Sequence, residues 1–93
     1  MEGDNEMKKM RYKCECCGNY TLPEPSAGTD WICKVCFWQD DYVQLHDPDY
    51  WGGANECSLN QGRENYKRFG SCEEWLISQV RKPYPEELPE NNW

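Results

Sequence analysis

The chain has 93 residues, of which 38% are hydrophobic, so it can form one small domain with a thin core. Its mean hydropathy of −1.06 and net charge of −7 argue against a membrane protein, and no segment approaches the roughly 20 apolar residues of a transmembrane helix. The seven cysteines cannot all pair within the chain, and residues 1–10 contain no apolar run like that of a signal peptide. We therefore expect a cytoplasmic protein with reduced thiols, the competing interpretation being a secreted protein with disulfides.

Composition divides the chain into three parts. Residues 1–10 are polar and show no periodicity, which predicts a flexible N-terminal segment. Residues 11–82 are expected to form a single domain. Residues 83–93 contain three prolines and are predicted to form an irregular tail.

Short strands are predicted in the first half of the domain. Residues 11–14 and 19–22 flank the turn around Cys14 and Cys17, which would place this turn at the tip of a hairpin. Residues 29–32 predict a further strand, and the alternation of residues 42–45 predicts another.

Two helices are predicted in the second half. Ser58-Leu59-Asn60-Gln61 matches a capping box, and apolar residues at helical spacing continue from it to Gly70. Ser71-Cys72-Glu73-Glu74 matches a second capping box, whose helix would end before Pro83. The predicted fold class is a small α+β metal-stabilised domain, zinc-ribbon-like, with short antiparallel strands and two C-terminal helices.

Four cysteines have the spacing of a metal site. Cys14 and Cys17 form one Cys-x-x-Cys turn, Cys33 and Cys36 form a second, and 15 residues separate the two turns. Two such turns supply the four soft thiolates of a tetrahedral structural zinc, although tetrahedral sulfur sites also hold iron. The other three cysteines, Cys16, Cys57 and Cys72, are expected to lie outside this shell, with Cys72 packed as a small apolar side chain.

A closed shell of four thiolates predicts a structural metal, because a catalytic zinc keeps one position open for water or substrate. The acidic pairs of the sequence lie among turn-forming residues, without a matching histidine, lysine or phosphate-binding loop. We therefore expect no enzymatic activity and no small-molecule substrate.

The charge distribution points to a protein partner. Four thiolates around a dication bring the formal charge from −7 to about −9, and residues 35–62 contain no lysine or arginine. Such a field disfavours nucleic acid and attracts a basic protein, although the acids could also serve solubility alone. The residues predicted to contact the partner combine acids with aromatics: Asp40, Asp41, Asp47, Asp49, Trp38, Tyr50 and Trp51.

Several motifs occur together along the chain. They are Tyr12-Lys13-Cys14-Glu15-Cys16-Cys17-Gly18, Ile32-Cys33-Lys34-Val35-Cys36-Phe37-Trp38-Gln39-Asp40-Asp41, Gly52-Gly53-Ala54-Asn55, Ser58-Leu59-Asn60, Arg63-Glu64-Asn65-Tyr66, Phe69-Gly70-Ser71-Cys72-Glu73-Glu74 and Val80-Arg81-Lys82-Pro83. In this combination they resemble the bacterial cysteine-rich CPCC family. The resemblance implies a zinc-ribbon-like module with appended helices and brings no established activity. Two features depart from the family pattern, since Glu15 replaces the proline of the name motif and Cys57 is not a usual cysteine.

The sequence as a whole favours non-enzymatic protein binding. Its most concrete form is an acidic immunity or antitoxin-like protein that blocks a basic toxin, such as a nuclease. One alternative is a nucleic-acid-associated zinc ribbon within a larger complex. The other is a thiol redox or metal-handling protein that uses Cys16, Cys57 and Cys72.

Overall fold

The computed structural model describes residues 11–92, so the predicted flexible segment at residues 1–10 and the final Trp93 lie outside the described residues. The elements of the described chain are strands β1 (Tyr12–Lys13) and β2 (Tyr20–Leu22), helices α1 (Tyr42–His46) and α2 (Leu59–Phe69), and 3₁₀ helices at Glu74–Gln79, Pro85–Glu87 and Pro89–Asn91. Together with a cluster of four cysteines, they form a small α+β domain of the predicted metal-stabilised class. Within residues 11–92, no helix is long and apolar enough to cross a bilayer.

The predicted hairpin forms, and it carries the first Cys-x-x-Cys turn at its tip. β1 and β2 pair antiparallel, with Tyr12 opposite Leu22 and Lys13 opposite Tyr20 across a register shift. The predicted strand at residues 29–32 is reduced to one antiparallel bridge between Ile32 and Gln39, which closes the second turn.

The prediction of a strand at residues 42–45 is wrong, because these residues form α1. The carboxylate of Asp41 caps this helix by accepting a 3.0 Å hydrogen bond from the backbone N–H of Val43. Side-chain oxygens at the N-cap stabilise a helix start in this way. The alternation of apolar residues was misleading because the fully buried position is the polar Gln44, while Tyr42 and Val43 are exposed.

Helix α2 begins and ends where the sequence predicts. The hydroxyl of Ser58 accepts a hydrogen bond from the backbone N–H of Gln61, which is one half of the predicted capping box. The side chain of Gln61 donates to Asn65 Oδ1 instead of forming the other half. Gly70 ends the helix with a φ of 83°, a left-handed conformation that glycine adopts at little cost.

Gly62 lets α2 approach the first turn closely. A Cβ atom at this position would lie 3.2 Å from Cys16 Sγ and 3.2 Å from the ring of Trp38. Glycine at this position costs about 1 kcal/mol of helix stability relative to alanine, but it allows close packing against two buried side chains.

The second predicted helix is a 3₁₀ helix, and its capping box does not form. The hydroxyl of Ser71 donates to the carbonyl of Glu73, and Glu73, which flanks the start of the helix, makes no side-chain cap. The carboxylate of Glu73 instead accepts a 2.9 Å hydrogen bond from the backbone N–H of Cys57 in another loop. The backbone N–H of Cys72 donates to the carbonyl of Cys36 at 2.7 Å. This segment is therefore held by the second cysteine turn, and the tertiary contacts decide its conformation.

The proline-rich tail is more regular than predicted, since it contains two single-turn 3₁₀ helices. The carboxylate of Glu87 is buried and accepts hydrogen bonds of 2.8 and 2.9 Å from the guanidinium of Arg81 and one of 2.8 Å from the backbone N–H of Tyr84. The hydrogen bonds from Arg81 hold the pKa of Glu87 below its ordinary value. This ion pair crosses the boundary predicted at residue 82 and fastens the tail to the domain.

Cysteine side chains make up much of the core of the described chain. Six of its eleven buried hydrophobic residues are cysteines, and the buried apolar side chains beside them are Leu22, Val35, Trp38, Leu59 and Leu76. Because so few large apolar side chains are buried, the free energy gained from hydrophobic burial is small. The fold needs a further source of stability.

Candidate metal centre

The first cysteine turn is shaped by local hydrogen bonds. The backbone N–H of Gly18 donates to the carbonyl of Cys14 at 2.8 Å, and the N–H of Cys14 donates to the carbonyl of Asn19 at 2.9 Å. Gly18 has a φ of 83°, which lets the chain reverse immediately after Cys17.

The second turn repeats this pattern. The N–H of Phe37 donates to the carbonyl of Cys33 at 2.8 Å, and the N–H of Cys33 donates to the carbonyl of Trp38 at 2.9 Å. Phe37 occupies the left-handed position, with a φ of 70°, which is uncommon for a side chain of this size. The two turns thus present their cysteines in equivalent ways.

The four predicted ligands come together. The Sγ atoms of Cys14, Cys17, Cys33 and Cys36 all lie within 4.8 Å of one another. Two distances across the turns are 3.6 Å, between Cys14 and Cys36, and 3.7 Å, between Cys17 and Cys33. A tetrahedron with metal–sulfur bonds of about 2.3 Å has edges of about 3.8 Å. The sulfur atoms therefore fit one tetrahedral metal ion, and this donor set can hold a structural metal.

The four cysteines differ in exposure. Cys14, Cys33 and Cys36 are buried, while Cys17 is partly exposed. Ligands from two turns leave no position for water or substrate on a four-coordinate metal. Such a closed set of four ligands is typical of a structural metal site.

The protonation of the cluster also favours a cation. Burial raises the pKa of Cys36, whereas hydrogen bonds from Cys14 and Cys17 lower the pKa of Cys33. The thiol groups therefore share protons when no cation is bound, because four adjacent thiolates repel one another. A divalent metal removes this conflict, so metal loading releases protons and weakens as the pH falls.

Two hydrogen bonds reach the sulfur of Cys33 from outside the ligand set. The hydroxyl of Thr21 donates to it at 3.0 Å, and the backbone N–H of Val35 donates at 3.3 Å. Sequence reasoning did not identify Thr21, because it lies 12 residues away in the other half of the site and no local motif marks it.

The three remaining cysteines are packed thiols. Cys16, Cys57 and Cys72 are exposed to only 6%, 1% and 1%, and Cys57 Sγ donates to the carbonyl of Cys72 at 3.4 Å. Burial raises the pKa of Cys57 to about 12 and also raises the pKa of Cys72. Because the thiolate is the reactive form, these two cysteines are poor candidates for redox chemistry.

Two of the seven residues predicted to contact a partner are buried, so that part of the prediction is wrong. Trp38 is 3% exposed and packs in the core, and Asp40 is 2% exposed. The carboxylate of Asp40 accepts five hydrogen bonds from the loop at residues 26–29, three of them from backbone N–H groups. Burial by itself raises the pKa of Asp40, but the hydrogen bonds outweigh it and lower the pKa. Asp40 is a structural residue that organises this loop.

Replacing Asp40 by alanine is expected to lower the free energy of unfolding by about 2–3 kcal/mol, because hydrogen bonds to a charged acceptor contribute about that much. Asp40→Asn keeps one acceptor oxygen, so its free energy of unfolding should fall by about half as much as that of Asp40→Ala. Urea denaturation of the metal-loaded variants at pH 7 and equal metal concentration measures both. Equal stability of Asp40→Ala and the wild type would contradict the structural role.

The other predicted contact residues lie at the surface around α1 and the loop that follows it. Tyr50 and Trp51 are 45% and 59% exposed, and Asp47 and Asp49 are also exposed. Asp41 is partly exposed and bridges two segments, capping α1 with one oxygen and accepting from Ala54 N–H with the other at 2.7 Å.

A buried amide holds this loop in place. The side-chain nitrogen of Gln44 lies 2.9–3.0 Å from the carbonyls of Tyr50, Asn55 and Cys57, and its two N–H groups donate to all three because one N–H is shared between two carbonyls. Its oxygen accepts from the backbone and side-chain N–H groups of Asn55 at 3.1 and 3.0 Å. Asn55 in turn exchanges two hydrogen bonds of 2.8 Å with the backbone of Gln39, next to the second cysteine turn. The exposed loop is thereby connected to the metal centre.

Comparison with known proteins agrees with this architecture. Residues 12–87 match the family described as Cysteine-rich CPCC, which includes both cysteine turns, both α-helices and the first 3₁₀ turn of the tail. No curated protein matches the chain. Since the match covers most of the sequence, the chain belongs to the cysteine-rich CPCC family.

Proposed function

We propose that this protein is a zinc-stabilised, non-enzymatic binding module that presents an acidic surface with exposed aromatic side chains to a basic protein. Zinc is the proposed metal because four thiolates at tetrahedral spacing are its usual structural ligands. The closed shell assigns the metal a stabilising role and directs attention to the surface that the metal holds in place.

The observation that carries the proposal is a group of exposed aromatics among acids. Tyr42, Tyr50 and Trp51 are 61%, 45% and 59% exposed, and they share α1 and its following loop with Asp47 and Asp49. We call these five residues the acidic–aromatic surface. Aromatic side chains supply much of the energy of protein interfaces.

The negative charge of this surface favours a basic protein as the partner. No lysine or arginine occurs from residue 35 to residue 62, which includes the whole acidic–aromatic surface. A negative field of this kind accelerates encounter with positively charged proteins and repels phosphate backbones. A basic protein is therefore the proposed partner, and a nucleic acid is not.

The surface is also preorganised for binding. The hydrogen bonds of Gln44 hold the carbonyl of Tyr50 and both the carbonyl and the backbone N–H of Asn55, so the loop that contains Trp51 is held at several points. A loop that is already ordered loses less conformational entropy when a partner binds. This rigidity supports a recognition surface over acids that serve solubility alone.

An immunity or antitoxin-like role is the most concrete form of the proposal. It requires a small acidic protein that covers a basic surface of its target, such as that of a nuclease toxin, and the net charge of −7 suits that task. Coexpression with a toxin encoded next to this chain would test this form directly, because protection must depend on the acidic–aromatic surface.

The general proposal is tested by affinity capture with the zinc-loaded protein from cells of its own source. We expect a basic protein to be recovered and to be released by about 0.5 M salt, where screening acts within a few ångströms. Purified partner should then bind Trp51→Ala at least 10-fold more weakly, since interface hot spots contribute 2 kcal/mol or more. Asp47→Lys should slow association, and titration calorimetry with stopped-flow kinetics measures both effects.

Ile77→Ala provides the matched control. Ile77 is 47% exposed, as much as Tyr50, but it lines a different groove together with Lys67, Arg81 and Lys82. This variant should bind the partner like the wild type. The proposal fails if the three variants bind equally, or if the captured partner is acidic or is a nucleic acid.

A further inference from the structure

The hydroxyl of Thr21 joins the two halves of the metal centre. Thr21 lies in β2, on the hairpin that carries the first cysteine turn, yet its Oγ1 is 3.0 Å from the sulfur of Cys33 in the second turn. The position of Thr21 is itself fixed, because its backbone N–H donates to the carbonyl of Asn19 at 3.1 Å.

The surroundings make this hydrogen bond strong. Cys33 is 0% exposed, so water does not compete for its sulfur. Hydrogen bonds strengthen in a medium of low polarity and strengthen further when the acceptor carries a charge. A metal-bound thiolate at this position is such an acceptor.

Thr21 differs from the usual donor to a cysteine turn. The backbone N–H of Val35 also donates to Cys33, at 3.3 Å, but any residue except proline supplies such a group at that position of the turn. The Thr21 hydroxyl is a side-chain donor, comes from a distant segment and is the shorter of the two bonds. Side chains that orient metal ligands typically change metal affinity by 10–100-fold when they are removed.

We propose that Thr21 is a positioning residue of the metal centre: its hydroxyl orients the Cys33 thiolate and stabilises the thiolate charge, and so raises the affinity for the metal. The inference rests on the four-cysteine centre and does not depend on the proposed partner. Its failure would therefore leave the binding proposal unaffected, and failure to find a basic partner would leave this inference unaffected.

Two variants of full-length protein separate the hydroxyl from the methyl group of Thr21. Thr21→Val keeps the shape of the side chain and removes the donor, whereas Thr21→Ser keeps the donor and removes the methyl group. We expect Thr21→Val to bind Zn²⁺ about 10-fold more weakly in competition with a chromophoric chelator. Thr21→Ser should remain within about 3-fold of the wild type, since it retains the bond to sulfur.

Substitution with Co²⁺ gives a readout that packing alone would not change. Loss of a hydrogen bond raises the energy of the sulfur lone pairs, so the sulfur-to-cobalt charge-transfer band should move to longer wavelength in Thr21→Val. The band of Thr21→Ser should stay where it is in the wild type. Equal zinc affinity in Thr21→Val and wild type would overturn the proposal. A larger loss of zinc affinity in Thr21→Ser than in Thr21→Val would also overturn it, as would a loss of affinity in Thr21→Val without a shift of the charge-transfer band.

Discussion

Replacing Cys33 by serine is expected to abolish both metal binding and the folded state. Structural zinc contributes about 10–16 kcal/mol of apparent free energy to the peptides that it folds. Small domains have a total stability of about 5–15 kcal/mol, so loss of the metal removes an amount comparable to all of it. The core formed by residues 11–92 offers little compensation, because most of its buried hydrophobic residues are cysteines and only five other apolar side chains in that range join them.

Native mass spectrometry and circular dichroism measure this effect. The wild type should hold one zinc ion per chain and show the spectrum of a folded protein, whereas Cys33→Ser should hold none and resemble the chelator-treated wild type. Cys57→Ala is the matched control, because Cys57 is equally buried but lies outside the four-sulfur cluster. It should keep its zinc and its fold. A folded Cys33→Ser variant, or a wild type that stays folded in excess chelator, would contradict the structural role of the metal.

The pH dependence of this stability follows from the same chemistry. The metal binds thiolates, so protons compete with it and acidification must release it. The burial that raises the pKa of Cys36 strengthens this competition. Stability is therefore retained at neutral pH and lost as the pH falls, in the same range in which the metal dissociates.

The metal ligands were predictable because the turn that presents them is local. A Cys-x-x-Cys segment closes through hydrogen bonds between residues four and five apart, as the bonds from Gly18 to Cys14 and from Cys14 to Asn19 show. The same holds for α2, whose ends depend on Ser58, three residues before Gln61, and on Gly70. Features of this kind are encoded within a few residues of where they appear.

The features that sequence reasoning missed depend on distant partners. Residues 42–45 alternate like a strand, but α1 forms because Asp41 caps it and because Gln44 finds Asn55, 11 residues later, as a buried partner. Asp40 is acidic and lies in an acidic stretch, yet it is buried because hydrogen-bond donors 11–14 residues earlier in the chain pair with its carboxylate. Propensity and charge pattern describe a residue and its neighbours, and tertiary hydrogen bonds override both.

The largest effect expected away from the metal ligands is at Gln44. Replacing it by leucine keeps the size of the side chain but removes both ends of the amide. The carbonyls of Tyr50, Asn55 and Cys57 would lose their common donor, and the backbone N–H of Asn55 would lose its acceptor. Leaving a buried polar group unpaired costs about 1–3 kcal/mol, so a loss of about 3–4 kcal/mol of stability is expected after the loop partly relaxes toward water.

The same substitution should weaken partner binding more than it disturbs the metal. The freed loop contains Trp51, which directly follows the Tyr50 carbonyl that Gln44 holds, while none of the hydrogen bonds of this amide goes to a ligand sulfur. Urea denaturation measures the stability, and the cobalt spectrum reports whether the sulfur geometry survives. Val43→Ala, on the same helix but 48% exposed, should change stability by no more than about 0.5 kcal/mol. If Gln44→Leu were as stable as Val43→Ala, the loop would not be held by this amide, and a rigid acidic–aromatic surface would lose its physical basis.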